Sequence, residues 1–245
     1  VAYSVKTNST GIVVAHVDKD VYKYYPESGK LAVLTDGKML PSNADHKVLA
    51  TSPSDPDYVY VAYLTKKSQA TNKYSNDYET GNIYVTKNFT QEVEVDSEGV
   101  EHETMTWDIA FNKTKLYEVF GSNSFVDNAI AVYPNNPKKL LLGGSNVWVL
   151  EDSDNTGIYR AVQISSSNGF QIINSGGAYA YNYSYVHSGV QNIVFNPGNP
   201  NVFFVGTEGG IHKGEYASGS YAFEGMNRYL IDENTTAELL DSEKR

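Results

Sequence analysis

The stretch that decides the fold is residues 192–206, which read NIVFNPGNPNVFFVG. A turn of the form Pro-x-Asn-Pro stands here between two short apolar runs. The same arrangement recurs at residues 48–62 (VLATSPSDPDYVYVA) and 129–143 (AIAVYPNNPKKLLLG). Each proline fixes φ and lacks a backbone donor, so it ends a strand, while the Asp or Asn between the prolines accepts backbone hydrogens inside the turn. The three copies therefore predict three β-hairpins.

A third short strand follows each hairpin, and a pair of small residues stands before it. The pairs are residues 81–82 (GN), 145–146 (SN) and 209–210 (GG), and the runs after them read IYV, VWV and IHK. Small, flexible residues favour tight reversals between antiparallel strands. Each pair is therefore predicted to reverse the chain before the third strand.

A weaker copy of the same unit stands at the start of the chain. Its strands are predicted at residues 12–17, 21–25 and 31–34, with a turn at residues 26–29 (PESG). Repetition of one antiparallel meander is what radial packing of sheets requires. We therefore predict an all-β fold, a β-propeller of four-stranded antiparallel blades, of which about four are visible.

The blades are predicted within residues 1–235, and residues 236–245 are predicted to form a terminal helix or tail. The approximate blade intervals are residues 1–40, 46–120, 128–175 and 188–230. A closed ring of seven or more blades needs more residues than four units supply. We therefore expect either a small ring or a fragment of a larger propeller. Because Val1 is not a natural start, the remainder of a larger chain is one expected partner.

Composition and charge argue against several classes of function. The formal net charge of −10 repels phosphate backbones and anionic headgroups, and the pairs at residues 66–67 and 138–139 are the clearest basic clusters, so no nucleic-acid partner is expected. The chain contains 0 cysteines, which excludes disulfides, thiolate nucleophiles and cysteine-based zinc sites. No apolar run approaches the length of about 20 residues that spans a bilayer, so no direct membrane insertion is expected.

The spacing between hairpin and third strand is longer in one copy than in the other two. Residues 66–80 (KKSQATNKYSNDYET) are polar and lack periodicity, which predicts a long surface loop between strands. Such loops often carry binding residues, and this one is the first suspected binding surface. A tolerated excursion of the chain is the alternative.

Alternating tyrosines mark a second candidate binding surface. Tyr179, Tyr181, Tyr183 and Tyr185 follow one another with a period of two, so a strand would place them on one face. Tyrosine offers a large contact area at low entropic cost. We predict that these residues, with His187 directly after them, bind a sugar or a peptide. Packing between neighbouring blades is the alternative.

One short acidic stretch has the pattern of a calcium loop. Asp152, Asp154 and Thr156 stand at alternate positions and Gly157 follows, as in loops whose oxygens wrap the ion. The twelfth position is Gln163, where a bidentate carboxylate would be expected. Calcium is therefore one prediction, and a plain acidic hairpin without any cofactor is the other.

Residues 187–211 (HSGVQNIVFNPGNPNVFFVGTEGGI) carry a family resemblance. They resemble the blade motif of sialidase-like propellers with BNR (Asp-box) repeats, a group that includes sortilin-type, photosystem assembly factor-type and xyloglucanase-type propellers. The resemblance implies the propeller fold. It also implies an Asp box after the third strand of each blade, and the corresponding residues 86–92 and 213–223 match that motif only in degenerate form.

The residues for known propeller chemistry are incomplete. A sialidase clamps its substrate carboxylate with three arginines. The three arginines of this chain are Arg160, Arg228 and the terminal Arg245, and because one of them is terminal, sialidase activity is not expected. A glycosidase needs two carboxylates across the sugar, for which Asp108, Asp127 and Glu208 lie near predicted strand ends.

The leading hypothesis for the function is a non-catalytic propeller that binds a protein or glycan. Such a propeller would be extracellular, at the cell surface or periplasmic, as a component of a surface or secretion-associated assembly. A glycoside hydrolase of the xyloglucanase or sialidase-like type is the alternative, so the sequence leaves open whether the protein is an enzyme.

Overall fold

The structure is a computed structural model of the chain. The residues that it describes are 2–35, 40–41, 46–66, 78–91, 93–95, 101–103, 105–112, 119–120, 127–167, 170–172, 179–181 and 184–226. The tail predicted at residues 236–245 lies outside these ranges. Within the ranges there is no helix that is both long and apolar enough to cross a lipid bilayer.

The described chain is built from short β-strands. In the first half they are β1 (Ala2–Thr7), β2 (Val13–Val17), β3 (Asp20–Tyr25), β4 (Lys30–Val33), β5 (His46–Thr51), β6 (Tyr58–Lys66), β7 (Tyr78–Lys87), β8 (Val93–Val95), β9 (Glu101–Glu103) and β10 (Asp108–Phe111). In the second half they are β11 (Ala129–Tyr133), β12 (Asn136–Gly143), β13 (Val147–Glu151), β14 (Arg160–Gln163), β15 (Phe170–Ile172), β16 (Tyr179–Tyr181), β17 (Val190–Asn196), β18 (Asn199–Thr207), β19 (Gly210–Ala217) and β20 (Ser220–Gly225).

Four of the sheets contain four antiparallel strands each, and these sheets are the blades. Blade 1 has the order β1-β2-β3-β4, blade 2 the order β5-β6-β7-β10, blade 3 the order β11-β12-β13-β14 and blade 4 the order β17-β18-β19-β20. Two short hairpins, β8 with β9 and β15 with β16, follow the third strand of blade 2 and the fourth strand of blade 3. Each blade is therefore a meander, with one hairpin inserted before the last strand of blade 2.

The first strands of the four blades lie side by side. β1 contacts β5, β5 contacts β11, and β11 contacts β17. Since the other strands follow in order across each sheet, the first strands surround a common axis and the fourth strands lie at the periphery, which is the architecture of a β-propeller. The fold prediction is confirmed. The four described blades form an arc that does not close into a ring.

Three apolar cores lie between successive blades. Successive side chains of a strand point to opposite faces, so Val59, Val61 and Tyr63 of β6 pack toward blade 1. Tyr60, Ala62 and Leu64 of the same strand pack toward blade 3. The third core joins blades 3 and 4. The second strands of blades 2 and 3 are therefore buried on both faces, which explains why residues 58–64 and 140–143 are almost continuously apolar.

The Pro-x-Asx-Pro turns have the hydrogen bonds that the sequence predicts. In each copy the side-chain oxygen of the Asp or Asn accepts the amide N–H two residues later, and this contact fixes the exit from the turn. The three bonds are Asp57 N to Asp55 Oδ1 at 3.0 Å, Lys138 N to Asn136 Oδ1 at 3.0 Å, and Asn201 N to Asn199 Oδ1 at 3.0 Å.

The same turns also join neighbouring blades. Asn8 of blade 1 donates from Nδ2 to the carbonyl oxygen of Pro56 at 3.0 Å. Tyr60 of blade 2 donates its hydroxyl to the carbonyl oxygen of Pro137 at 2.6 Å, and its oxygen lies 2.8 Å from the hydroxyl of Tyr159 in blade 3. In the turns of blades 2 and 3, the carbonyl of the second proline is therefore a point at which the preceding blade is held.

The prediction of a chain reversal at residues 81–82 is wrong. β7 runs through both residues and pairs with β6 as far as Tyr78 opposite Lys66. The pairing steps from Ala62 opposite Ile83 to Leu64 opposite Thr80, so Gly81 and Asn82 together face one residue of β6. Such a β-bulge accommodates an extra residue without ending the strand, and glycine is suited to it.

Two further details of the structure differ from the prediction: the ends of the long loop in blade 2 and the number of strands in blade 1. Lys66 belongs to β6 and residues 78–80 belong to β7, so the chain reverses between them, and residues 67–77 lie outside the described ranges. β1 was not among the predicted strands. It pairs with β2 from Ala2 opposite Val17 to Thr7 opposite Val13 and completes blade 1.

Candidate functional site

Three sequence-distant segments meet at one end of blade 4. β17 begins at Val190, which pairs with Thr207 at the end of β18, and Thr207 also pairs with Gly210 at the start of β19. Residues 184–189, which lead into β17, therefore lie beside the turn at residues 208–209. We call the side chains of Tyr185, His187, Glu208 and His212 at this end the His187 site.

His187 is held by three contacts. Its Nδ1 lies 2.8 Å from the carbonyl oxygen of Ser188, and because a carbonyl can only accept, Nδ1 carries the hydrogen. The backbone N–H of His187 donates to Nε2 of His212 at 3.3 Å. The ring lies directly on the backbone of Gly209, where a Cβ would stand 2.3 Å from ring carbons. The half-buried ring is therefore fixed, with the lone pair of the neutral form on Nε2.

His212 is a buried side chain that accepts a hydrogen bond from the backbone of His187. Only 5% of its surface is exposed, and the Tyr185 ring meets it edge-on with centroids 5.7 Å apart. Its Nε2 accepts the bond from His187, so the neutral ring carries its hydrogen on Nδ1, and within the described residues Nδ1 has no hydrogen-bond partner. Burial, followed by the neighbouring His187, lowers the pKa of His212. His212 is thus a neutral, buried support at neutral pH.

The fourth member of the His187 site is an exposed carboxylate. Glu208 donates its backbone N–H to the carbonyl oxygen of Gly189 at 3.1 Å, and its side chain lies over Gly189. A Cβ at position 189 would stand 2.6 Å from Cγ of Glu208, and φ there is +76°, so glycine is required. The site presents a carboxylate, an imidazole and a phenol, which together can donate to and accept from a polyhydroxyl or peptide ligand.

Tyr185 is the predicted tyrosine whose side chain the structure describes, and it lies at this site. Tyr179 and Tyr181 lie in β16 opposite Ile172 and Phe170, and Tyr183 lies outside the described residues. Tyr185 departs from the predicted common strand, because β16 ends at residue 181 and Tyr185 instead forms a parallel bridge with Ser166. The platform of four tyrosines stays a prediction. Sequence reasoning assigned no role to His212, because only strand pairing brings it to His187.

The predicted calcium loop is a closed turn between β13 and β14. Buried Asp152 accepts the amide N–H of Thr156 on Oδ1 and that of Gly157 on Oδ2, each at 3.0 Å. Asp154 accepts the Thr156 hydroxyl and Arg160 Nη1, each at 3.0 Å, and these two hydrogen bonds lower the pKa of its carboxyl. The carboxylate oxygens of Asp152 and Asp154 accept hydrogen bonds from N–H and O–H groups, as expected for a hairpin turn that holds no metal ion. In the part of the chain that the structure describes, no group of three or more His, Asp or Glu could hold a metal ion, and calcium binding stays a prediction.

We expect Asp152→Ala to destabilise the protein. The change leaves two amide N–H groups of a partly buried turn without their acceptor, at a cost of about 2 kcal/mol. Urea unfolding of both proteins measures the difference, and Ser153→Ala at the exposed neighbouring position is the matched control. Equal stability of Asp152→Ala and the wild type would mean that the turn is held by other contacts. Calcium added to the wild type in the same experiment tests the ion prediction, because a bound ion raises the unfolding midpoint.

The carboxylates considered for glycoside hydrolysis lie in different parts of the arc. Asp108 is on the peripheral strand of blade 2, where it forms an exposed ion pair with Lys87 at 3.2 Å. Asp127 is buried and precedes the innermost strand of blade 3. Glu208 belongs to the His187 site in blade 4. These three residues therefore do not share one turn or one sheet.

No protein-family model matches the chain, and no curated protein matches it. Among solved structures, the chain is similar to a GH74 xyloglucanase from Xanthomonas campestris, with 21% identity and a TM-score of 0.48 over 89% of this chain and 29% of that chain. It is also similar to a GH74 enzyme from Niastella koreensis, with 16% identity and a TM-score of 0.46 over 91% of this chain and 29% of that one. The chain thus spans less than a third of either enzyme.

Proposed function

We propose that the protein is a non-catalytic binding propeller that recognises a glycan or a protein partner through the His187 site. The observation that carries the proposal is the fixed, half-buried ring of His187, seated on Gly209 and held at both Nδ1 and its own backbone N–H. A polar ring that is already ordered loses little entropy when a ligand binds. Tyr185 and the exposed Glu208 add an aromatic surface and an acceptor beside it.

The segment before His187 extends the proposed surface. Tyr179, Tyr181 and Tyr183 precede the site in the chain, and as stacking positions they would add apolar contact to the polar groups of the His187 site. The surface loop predicted between β6 and β7 is a second proposed contact region, because these are the second and third strands of blade 2, as β18 and β19 are in blade 4. Corresponding turns of an antiparallel meander lie at the same end of neighbouring blades.

For the pair of Asp108 and Glu208, the positions of the carboxylates favour binding over hydrolysis. Glycosidases place two carboxyl groups about 5–9.5 Å apart across the sugar. Asp108 is at the periphery of blade 2 and is paired with Lys87, while Glu208 lies two blades away. The proposed location, extracellular, at the cell surface or periplasmic within a surface assembly, depends on the resemblance of residues 187–211 to sialidase-like propellers.

A glycan array combined with hydrolysis assays tests the proposed function. We expect binding without turnover of polymeric glucan or sialoside substrates. His187→Ala should weaken binding at least about 10-fold, because it removes the ordered polar ring from the centre of the contact. Asn201→Ala, at the exposed opposite end of β18, is the control and should leave affinity unchanged.

Three outcomes would change this proposal. Substrate turnover that is abolished by Glu208→Gln would replace the binding function with glycoside hydrolysis. Binding that is equally strong in His187→Ala would place the ligand elsewhere on the molecule. If no glycan binds, the ligand class becomes protein, and crosslinking through a cysteine introduced at the exposed Glu208 position identifies that partner.

A further inference from the structure

The side chains of the His187 site present mainly hydrogen-bond acceptors to a ligand. The carboxylate oxygens of Glu208 can only accept. In the neutral His187 ring, Nδ1 carries the hydrogen toward the carbonyl oxygen of Ser188 at 2.8 Å, so Nε2 offers a lone pair. The Tyr185 hydroxyl can accept as well as donate. The ligand that matches these three groups is therefore one that supplies hydrogen-bond donors.

Two backbone N–H groups of the site already have acceptors within the protein. The N–H of His187 donates to the ring of His212 at 3.3 Å. The N–H of Glu208 donates to the carbonyl oxygen of Gly189 at 3.1 Å. A ligand carboxylate or phosphate would gain neither of these donors and would meet the negative charge of Glu208, so an anionic ligand does not suit the site.

The charge of Glu208 has no cationic partner in the part of the chain that the structure describes. Lys213, on the strand that follows, forms its ion pair with Glu215 at 3.1 Å. His212 stays neutral because burial lowers its pKa. A cationic ligand would therefore neutralise an uncompensated charge, and the net charge of −10 attracts such a ligand over a longer distance.

The exposed carboxylate of Glu208 is held close to the backbone of the segment that carries His187. A Cβ at position 189 would stand 2.7 Å from Cδ and 3.0 Å from Oε2 of Glu208. The carboxyl group thus lies against Gly189 and does not extend into solvent. Groups that are ordered before binding lose less entropy when the ligand arrives.

An arginine side chain fits these groups better than a metal ion or a neutral glycan. Among the described residues, no set of three or more His, Asp or Glu could hold a metal ion. The hydroxyls of a neutral glycan would leave the charge of Glu208 uncompensated. A guanidinium group has five N–H donors and no acceptor, pairs with a carboxylate through two parallel hydrogen bonds, and stacks on aromatic rings.

We propose that the His187 site binds an arginine side chain of a protein partner. In this complex the Glu208 carboxylate pairs with the guanidinium, Nε2 of His187 accepts a further N–H, and Tyr185 supplies an aromatic surface. The inference rests on the proposed binding function and names the ligand of the same site, which is a basic segment of a protein and not a glycan.

A random peptide library displayed on phage tests the proposal. Peptides selected on the wild-type protein should share an arginine at a common position. Glu208→Gln keeps an acceptor but removes the charge, so it should not enrich these peptides. Glu27→Gln removes the same charge from an exposed turn of blade 1 and is the matched control, which should enrich them as the wild type does. Glu208 is exposed, so its variant should keep the fold, and circular dichroism checks this.

A synthetic copy of the best selected peptide measures the size of the effect. Citrulline has nearly the shape of arginine but no charge. Replacing the common arginine with citrulline should weaken binding to the wild type at least about 10-fold, because hydrogen bonds between charged groups are stronger than those between neutral groups. The two peptides should bind Glu208→Gln about equally. Added NaCl should weaken the arginine peptide more than the citrulline peptide, because salt screens exposed charges.

The possible outcomes distinguish this inference from the proposed function. Selected peptides without a common arginine would overturn the inference. An arginine peptide that binds Glu208→Gln as tightly as the wild type would overturn it too. In both cases, loss of binding in His187→Ala would leave the binding function in place. Glycans that bind through His187 while no peptide is selected would make the ligand a glycan. If neither a glycan nor a peptide binds through His187, both proposals are wrong.

Discussion

Replacing Tyr60 with alanine should lower the free energy of unfolding by about 3–5 kcal/mol, because the ring is fully buried between blades 2 and 3. The ring meets that of Tyr159 edge-on, with centroids 6.1 Å apart. The hydroxyl bonds to Pro137 and Tyr159 are lost with it. For a chain of this length, each kcal/mol changes the melting temperature by about 2–4 °C. The expected decrease is therefore about 6–20 °C.

Tyr60→Phe separates the contribution of the hydroxyl from that of the ring. In Tyr60→Phe the carbonyl of Pro137 loses its hydrogen-bond donor. The surroundings are poorly hydrated, since burial, followed by the Tyr159 hydroxyl, raises the pKa of Tyr60 far above its usual range. The expected cost is about 1–3 kcal/mol.

Thermal and urea unfolding measure both Tyr60 variants, with Ile158→Ala as the control. Ile158 is 62% exposed beside Tyr159, so its change should alter stability by less than about 0.5 kcal/mol. A Tyr60→Ala protein within about 1 kcal/mol of the wild type would contradict the assignment of Tyr60 to an inter-blade joint.

Lowering the pH from 7 to 4 should destabilise the protein, with His16 as the main contributor. His16 is fully buried at the end of β2, and its Nε2 donates to the carbonyl oxygen of Asp18 at 3.0 Å. The His46 ring lies against it with centroids 5.7 Å apart. Burial, then the charge of Lys47, then His46, lower the pKa of His16 to about 4.

The direction of this pH effect follows from comparing the folded and unfolded chains. The unfolded His16 takes up a proton near its ordinary pKa of 6.5, whereas the folded one stays neutral until about pH 4. Between these values the unfolded chain binds more protons, so stability falls as the pH falls. The difference corresponds to about 3.5 kcal/mol at about 1.4 kcal/mol per pKa unit. The pKa values of His46 and His212 are also lowered by burial and act in the same direction.

The measurement is the free energy of unfolding at pH 7.5 and pH 4.5 for the wild type and His16→Gln. Glutamine keeps a side-chain donor but does not titrate, so the loss between the two pH values should shrink by about 2–3 kcal/mol. This difference is independent of any cost of the substitution at pH 7.5. An unchanged loss in His16→Gln would assign the pH dependence to other groups.

Local signals in the sequence predicted most of the blade architecture. A Pro-x-Asx-Pro turn is stabilised by a backbone N–H only two residues from its acceptor. The turns at residues 53–56, 134–137 and 197–200 could therefore be predicted without knowing how the blades pack. The reversal predicted at Gly81 and Asn82 failed because a bulge and a turn use similar residues. Only the length of the partner strand β6 separates the two.

The candidate site could be predicted only in part. His187 was named from the sequence together with four tyrosines. Among the side chains that the structure describes, Tyr185 lies near His187 through the His212 ring. Glu208 was weighed only as one of three catalytic carboxylates. The Gly209-Gly210 pair was a visible signal, but it was interpreted as a turn and not as the seat of an imidazole ring.

The sequence by itself determined the repeated meander, its turns and its alternating apolar faces, because these depend on residues within a few positions of one another. The tertiary structure decided which side chains meet between blades. Lys23 of blade 1, for example, is fully buried and donates from Nζ to the carbonyl oxygen of Gln91 at 2.8 Å, beside the ring of Phe89. A buried lysine of this kind depends on which blade is its neighbour, and that order is set by the packing of whole sheets around the axis.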